Sequence, residues 1–159
     1  MKNINRVIAI HGSYFGLNFG DTLIISIVNQ WIKEFMPNAE INLPFVNSDE
    51  EAKQIIASEK YIKDPFLKNT RGLNFGPGGY FGEPNSSFFR RYYWYFRNYK
   101  RHLIWNKILF RKNIPFMILG VGVGPINNYL VRKKIIKLFK KAQFIAVRDQ
   151  VSKDYLVDW

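Results

Sequence analysis

The chain has 159 residues, 47% of them hydrophobic and 17% aromatic, enough to bury the core of one domain and too apolar for disorder to be its main state. It has no cysteine, which excludes a disulfide framework and any thiolate ligand or nucleophile; its two histidines, His11 and His102, are too few and too far apart to suggest a zinc site, and no metal or cofactor is expected. A net charge of +12 with a pI near 9.9 favours anionic partners, whether nucleic acid, acidic lipid head groups or phosphorylated small molecules.

Met1 to Ile10 has too short an apolar run for a signal peptide, and Ile114 to Val123 is too short to cross a bilayer, so a cytoplasmic location is expected. Arg6 to Ile10 reads as a buried strand, followed by a glycine-rich loop from His11 to Gly20. Asp21 then opens a helix as its N-cap, with Leu23, Ile24, Ile27, Val28, Trp31, Ile32 and Phe35 on one inward stripe and Pro37 beyond its end. Ile41, Leu43 and Phe45 alternate as a strand, and Ser48 with Glu51 forms a capping box for a helix through about Lys60. Leu73 to Phe75 is a third short strand, ending in the loop Gly76 to Gly82.

Ser87 to Lys112 reads as one helix. Phe88, Phe89, Tyr92, Tyr95, Phe96, Tyr99, Leu103 and Phe110 share a face that is most simply core; Trp94, Trp105 and Ile108 fall among Arg90, Arg91, Arg97, Arg101, Arg111 and Lys112 opposite. Tryptophans among arginines suit an interface with acidic head groups, although a solvated charged face whose tryptophans cover a neighbouring element explains them equally well. Pro115 to Leu119 is the most convincing buried strand and runs into Gly120 to Pro125. A basic helix from about Tyr129 to Lys141, with Leu130, Ile135, Leu138 and Phe139 inward, a strand from Phe144 to Val147, and a last helix capped by Asp149 complete the chain. Strands alternating with helices predict a Rossmann-like α/β domain over residues 1–159: a parallel sheet with helices on both faces and ligands at the carboxyl ends of its strands.

Three glycine-bearing loops follow predicted strands, and glycines at one sheet edge suit close backbone approach to a ligand; tight turns need them as well. None is a nucleotide fingerprint: there is no Gly-Lys-Ser/Thr, and Pro125 stands where the third glycine of G-x-G-x-x-G would be, which disfavours a dinucleotide dehydrogenase. Taken together, Gly16-Leu-Asn-Phe-Gly-Asp21, the pair Gly78-Gly79, and Gly120-Val-Gly-Val-Gly-Pro125 followed by Ala146-Val-Arg-Asp149, Ser152 and Leu156 resemble the polysaccharide pyruvyl transferase family in order and spacing. That resemblance implies one half of a two-domain glycosyltransferase B-type fold, this chain matching the N-terminal half, inactive by itself. It also implies transfer of pyruvate from phosphoenolpyruvate, as a ketal, onto a sugar of an envelope polysaccharide or its lipid-linked precursor, at the inner face of the membrane. The family's general acid or base histidine would lie in the other half.

Arg148 is the leading candidate for gripping carboxylate or phosphate, against a structural ion pair with Asp149. Asn18 and Asp21 are candidates for acceptor hydroxyls, Asp21 being equally explained as a helix cap. Gly78 and Gly79 are candidates for backbone contact. His11 is a weaker candidate acid, more simply a hydrogen-bonded residue near the turn. The competing functions are a glycosyltransferase with a nucleotide-sugar donor and a non-catalytic basic module. Nucleic acid is disfavoured, because the aromatic stripe has the spacing that burial requires and no nucleic-acid motif is present.

Overall fold

Five successive buried residues, Val7–His11, form β1, and a strand covered on both faces reads as such a continuous run. The computed structural model describes residues 6–13, 18–56, 60–103 and 105–159, without the side chains of Arg101 and His102. After β1 come α1 (Phe19–Phe35), β2 (Glu40–Asn42), α2 (Asp49–Ile55), β3 (Thr70–Phe75), β4 (Gly78–Phe81) and α3 (Phe88–Asn98). A π turn (Tyr99–Leu103), α4 (Trp105–Lys112), β5 (Phe116–Val123), α5 (Tyr129–Phe139), β6 (Phe144–Val147) and α6 (Gln150–Val157) follow.

All strand pairs are parallel: β1 lies between β2 and β3, β3 pairs β5, and β5 also pairs β4 and β6. Val121 is in register with both Gly78 and Val147, so β4 prolongs the line of β3 along one edge of β5 while β6 occupies the other. Chain direction reverses its progress across the sheet between β1 and β3, as in doubly wound folds. Ile8 and Ile10 point to a core shared with Ile25, Val28 and Ile32 of α1 and Ala52 and Ile55 of α2. Ala9, Phe75 and Ile118 face the other way, into a larger core closed by Trp94, Trp105, Leu109, Ile135 and Leu138. The fold is the expected Rossmann-like α/β sheet with helices on both faces. Among the described residues no helix is long and apolar enough to cross a membrane.

Several local expectations are corrected. Helix α1 starts at Phe19, capped by Asn18, whose Oδ1 accepts from the Gly20 N–H at 3.1 Å; Asp21 sits inside the first turn and is not the cap. Its inward stripe is Ile25, Val28, Asn29 and Ile32, which leaves Leu23, Trp31 and Phe35 exposed. Ser48 does cap α2, accepting from the Glu51 N–H, while the Glu51 carboxylate reaches back to the Asn47 N–H; the helix ends at Ile55, short of Lys60. The Gly76 to Gly82 loop contains β4, and β5 continues through Gly120 and Gly122 to Val123. Gly120, at φ 68°, makes an irregularity in β5 where the β6 register shifts between Leu119 and Val121. Leu130 is exposed at the start of α5.

The largest correction concerns Ser87 to Lys112. It is not one helix: the π turn re-phases it between α3 and α4. Trp94 and Trp105 are buried at 5% and 1% exposure, and Ile108 packs against the same core, whereas Phe88, Phe89, Tyr92, Phe96 and Tyr99 are exposed. Polar anchors explain the choice of face. The Asn98 amide donates to the Tyr80 carbonyl, Tyr95 Oη donates to Glu83 Oε2 at 2.7 Å, and Trp105 Nε1 donates to the Pro65 carbonyl at 3.0 Å. Each tie needs its residue inward, and Trp105 also stacks on Phe45 with centroids 5.1 Å apart.

Candidate functional site

At the carboxyl ends of β1 and β3, the loops that leave them are knitted together. The Gly76 N–H donates to the His11 carbonyl and the Ser13 N–H to the Pro77 carbonyl. This seam is where the direction of winding reverses, the position at which open α/β sheets bind ligands. Gly78 has φ 136°, and a Cβ there would lie 2.6 Å from the Ser13 Cβ, so the seam itself requires that glycine. Gly79 is different: it is exposed, and a Cβ on it would meet nothing within 4 Å. Packing among the described residues gives no reason for glycine there. Gly16 and Leu17, the start of the first motif, lie outside the described residues.

Further along, Gly124 N–H donates to the Phe81 carbonyl and Glu83 N–H to the Pro125 carbonyl, which joins the end of β4 to the end of β5. The Arg148 backbone N–H donates to the Val121 carbonyl, and its guanidinium lies flat on Gly122, where a Cβ would come within 3.1 Å of Nη2 and 3.2 Å of Cζ. Nε donates to Asp149 Oδ2 at 2.9 Å, yet the side chain stays 55% exposed, and among the described residues no second carboxylate pairs with it. The sequence left Arg148 open between a structural ion pair and a ligand grip. The structure shows the pair made through Nε, with no carboxylate on the Nη atoms among the described residues.

Asp149 is the N-cap of α6: its Oδ1 accepts from both the N–H and the hydroxyl of Ser152, at 2.8 and 2.7 Å. The Ser152 hydroxyl, 1% exposed, accepts in turn from the Val123 N–H at 2.9 Å, bolting α6 to the end of β5. The Ser152 hydroxyl and backbone, with a smaller contribution from Arg148, hold the Asp149 carboxyl down to about 2. Arg148 is thereby fixed from both sides, by strand pairing before it and a bolted helix after it. Replacing Ser152 by alanine orphans the Val123 N–H in the interior, an expected loss of about 1–3 kcal/mol. Differential scanning calorimetry should read this as a Tm lowered by about 2–4 °C per kcal/mol; an unchanged Tm would mean the bolt carries no strain of its own.

Asp21, in the first turn of α1, lies within electrostatic range of Arg148. Burial raises its pKa and the arginine's charge pulls part of that back. With Asn18 acting as cap, Asp21 does not cap the helix, although its carboxylate still suits the first turn. His11 is fully buried, its ring packed edge-on to Phe75 and Trp105 at 5.9 and 5.0 Å and beside Phe45 and Tyr80, so it faces the aromatic core rather than the open edge. Asn74, one residue before the end of β3, was not singled out from the sequence. Its amide is fully buried and makes no hydrogen bond among the described residues. The legible signal was an amide between two apolar residues, Leu73 and Phe75, at the end of a strand. Among the described residues no group of three or more metal-ligating side chains occurs.

The glycine seam, the Gly122 platform and the Arg148–Asp149–Ser152 bolt are thus one structure at one sheet edge, and a family model describes this whole stretch: polysaccharide pyruvyl transferase, matched over residues 18–159. The chain belongs to the polysaccharide pyruvyl transferase family. No curated protein and no solved structure gives a match. Among the described residues, Arg148 lies on Gly122, pairs with Asp149 and is close enough to Asp21 to lower its pKa.

Proposed function

We propose that this edge binds phosphoenolpyruvate for transfer of its pyruvyl group, as a ketal, to two hydroxyls of a sugar in an envelope polysaccharide or its lipid-linked precursor. The single observation that carries the reading is Arg148, laid on Gly122 with no carboxylate on its Nη atoms among the described residues. A guanidinium fork matches carboxylate and phosphate bidentately, and both groups occur in this donor. Asp21, with its carboxyl made more basic by burial, accepts a hydrogen bond from an acceptor hydroxyl, and Gly79 leaves space for the sugar. His11 has no role in this scheme because it is enclosed.

Those contacts bind and orient the donor, and the proton for its methylene carbon comes from a general acid outside the described edge. A proton adds to the methylene carbon of the enol and C2 becomes oxocarbenium-like. One sugar hydroxyl adds to C2 and loses its proton; the second displaces phosphate from C2, loses its proton and closes the ketal ring. Arg148 offsets the charge of the carboxylate throughout and of the departing phosphate at the end. The described edge is a single open wall, which neither excludes water nor holds donor and acceptor together, so binding rather than turnover is expected of these 159 residues.

The test is a nuclear magnetic resonance titration of the isotope-labelled chain. Phosphoenolpyruvate should shift the Gly79, Gly122 and Arg148 amides saturably, while a uridine diphosphate sugar should leave them unchanged. Shifts produced only by the nucleotide sugar would replace the proposed reading with glycosyl transfer.

A further inference from the structure

The chain's positive charge is segregated. Fifteen of its 24 lysines and arginines lie between Glu83 and Asp149, a stretch without one aspartate or glutamate. The helices of that stretch, α3, α4 and α5, carry no acidic residue and all contribute to the core on the same face of the sheet, where α6 with Asp154 also packs, while Asp21, Glu34, Asp49, Glu50 and Glu51 belong to α1 and α2 on the other. Positive charge concentrated on one face is a directional device, because it attracts an anionic surface in one orientation.

On that basic cover stands an aromatic ridge. Trp94 and Asn98 turn inward, and the opposite side of α3 presents Phe88, Phe89, Tyr92, Tyr93 and Phe96, all more than half exposed, with Phe89 at 82%. Arg90, Arg97 and Lys100 border the ridge, Lys100 Nζ lying 4.4 Å from the centre of the Phe96 ring. Next to it, between the π turn and α5, is a hollow of about 170 Å³ lined by Tyr99, Phe110, Lys107, Lys134 and Lys137. Lys134 Nζ sits 4.2 Å over the Tyr99 ring. Apolar rings on a convex ridge, a lysine-lined hollow beside them and a nearest carboxylate, Glu83, that is buried against Tyr95 and Arg91 form an interfacial membrane surface: rings enter the head-group boundary, and ammonium groups meet phosphate.

We infer that the domain docks peripherally on an anionic lipid bilayer through the α3 ridge, with Phe88, Phe89, Tyr92 and Phe96 inserted and Arg90, Arg97, Lys100 and the lysine hollow on the head groups. The occupant follows from charge complementarity. A second copy of the chain would set two like-charged faces against each other, and a nucleic acid strand is held in a groove that follows its backbone, whereas this is a ridge. The ridge leads off from the end of β4, where Glu83 is tied to the β5–α5 connection, so docking puts the carboxyl edge of the sheet close to the lipid. The inference is independent of the transfer chemistry, since it is read without turnover.

The experiment is flotation of the intact 159-residue chain with vesicles of phosphatidylcholine alone or containing about a third phosphatidylglycerol. Acidic vesicles should carry the protein at low salt and release it at high salt, with binding to neutral vesicles at least tenfold weaker. Phe88→Ser/Phe89→Ser/Tyr92→Ser, confined to exposed positions, should cut binding to acidic vesicles at least tenfold with an unchanged circular dichroism melt. A second variant, Arg90→Glu/Arg97→Glu, should do the same and lose the salt dependence. Equal flotation with neutral and acidic vesicles, full binding by the serine variant, or tighter association of the ridge with single-stranded oligonucleotide or with itself would each overturn the proposal.

Discussion

Replacing Arg148 by lysine is expected to weaken phosphoenolpyruvate binding by about 10- to 100-fold, the loss of a charge-assisted bidentate contact worth roughly 1.5–3 kcal/mol. The charge is kept, so the effect isolates geometry. Arginine at this position lies flat on Gly122 with Nε committed to Asp149. A lysine ammonium can replace the ion pair but cannot present two parallel N–H groups outward at the same time. The fold should barely notice, because an ion pair this exposed contributes little to stability. Gly122→Ala gives an independent check on the same geometry: the added methyl group would stand 3.1 Å from Nη2 and lift the fork. Isothermal titration calorimetry of wild type, R148K and G122A should rank them in that order of affinity or with the two variants alike. Lysine binding within twofold of wild type would show that a point charge suffices and that the fork is not the grip.

The strands at the centre were legible because burial on both faces writes itself as an unbroken apolar run, as in Val7 to Ile10 and Phe116 to Leu119. Caps made by short side chains were legible too: Ser48 and Asp149 stand where their chemistry places them. At the start of α1 two cap formers, Asn18 and Asp21, are three residues apart, and local propensity does not decide between them. The structure uses Asn18 and leaves Asp21 inside the first turn. The phase of α3 was illegible for a different reason. Both sides of that helix are aromatic, so periodicity gives two solutions. Counting rings selects the larger group, whereas the fold selects the side that carries Trp94, Asn98 and the Tyr95 hydroxyl, with partners in β4 and at Glu83 that are far away in sequence. Arg148 was legible as a strand-end arginine, but the platform beneath it needed coordinates, since nothing in the spacing of Gly122 and Arg148 shows that one lies on the other.

Removing Glu83, whose side chain is only 3% exposed, is expected to cause a large loss of stability. One carboxylate there serves three segments. Oε2 accepts from the Tyr95 hydroxyl at 2.7 Å and the Asn127 N–H at 2.8 Å, while Oε1 takes the Asn127 amide at 3.3 Å and pairs with Arg91 at 3.5 Å. It thus holds α3 to the β5–α5 connection and fixes which side of α3 turns outward. Alanine removes three charge-assisted hydrogen bonds and an ion pair, an expected cost of at least about 3 kcal/mol, each kcal/mol lowering the Tm by about 2–4 °C. Glutamine should cost less, because one amide oxygen still accepts from Tyr95 while its NH2 faces the donors Arg91 and Asn127. The pH dependence gives the sharper reading. Burial works to raise the Glu83 carboxyl, but the Tyr95 and Asn127 hydrogen bonds and the Arg91 charge together hold it below the ordinary 4.5. Its contribution is therefore present above that value and is lost as acid takes the pH through the lowered one. Burial, and then the bond to Glu83, push the Tyr95 phenol up to about 12 from an ordinary 10. That contribution is present below pH 10 and is lost as alkali approaches 12. The Tm difference between wild type and Glu83→Gln should accordingly be flat between about pH 5 and 10 and shrink at both ends. A difference that stays constant into acid would mean that the ionised carboxylate is not what joins these segments.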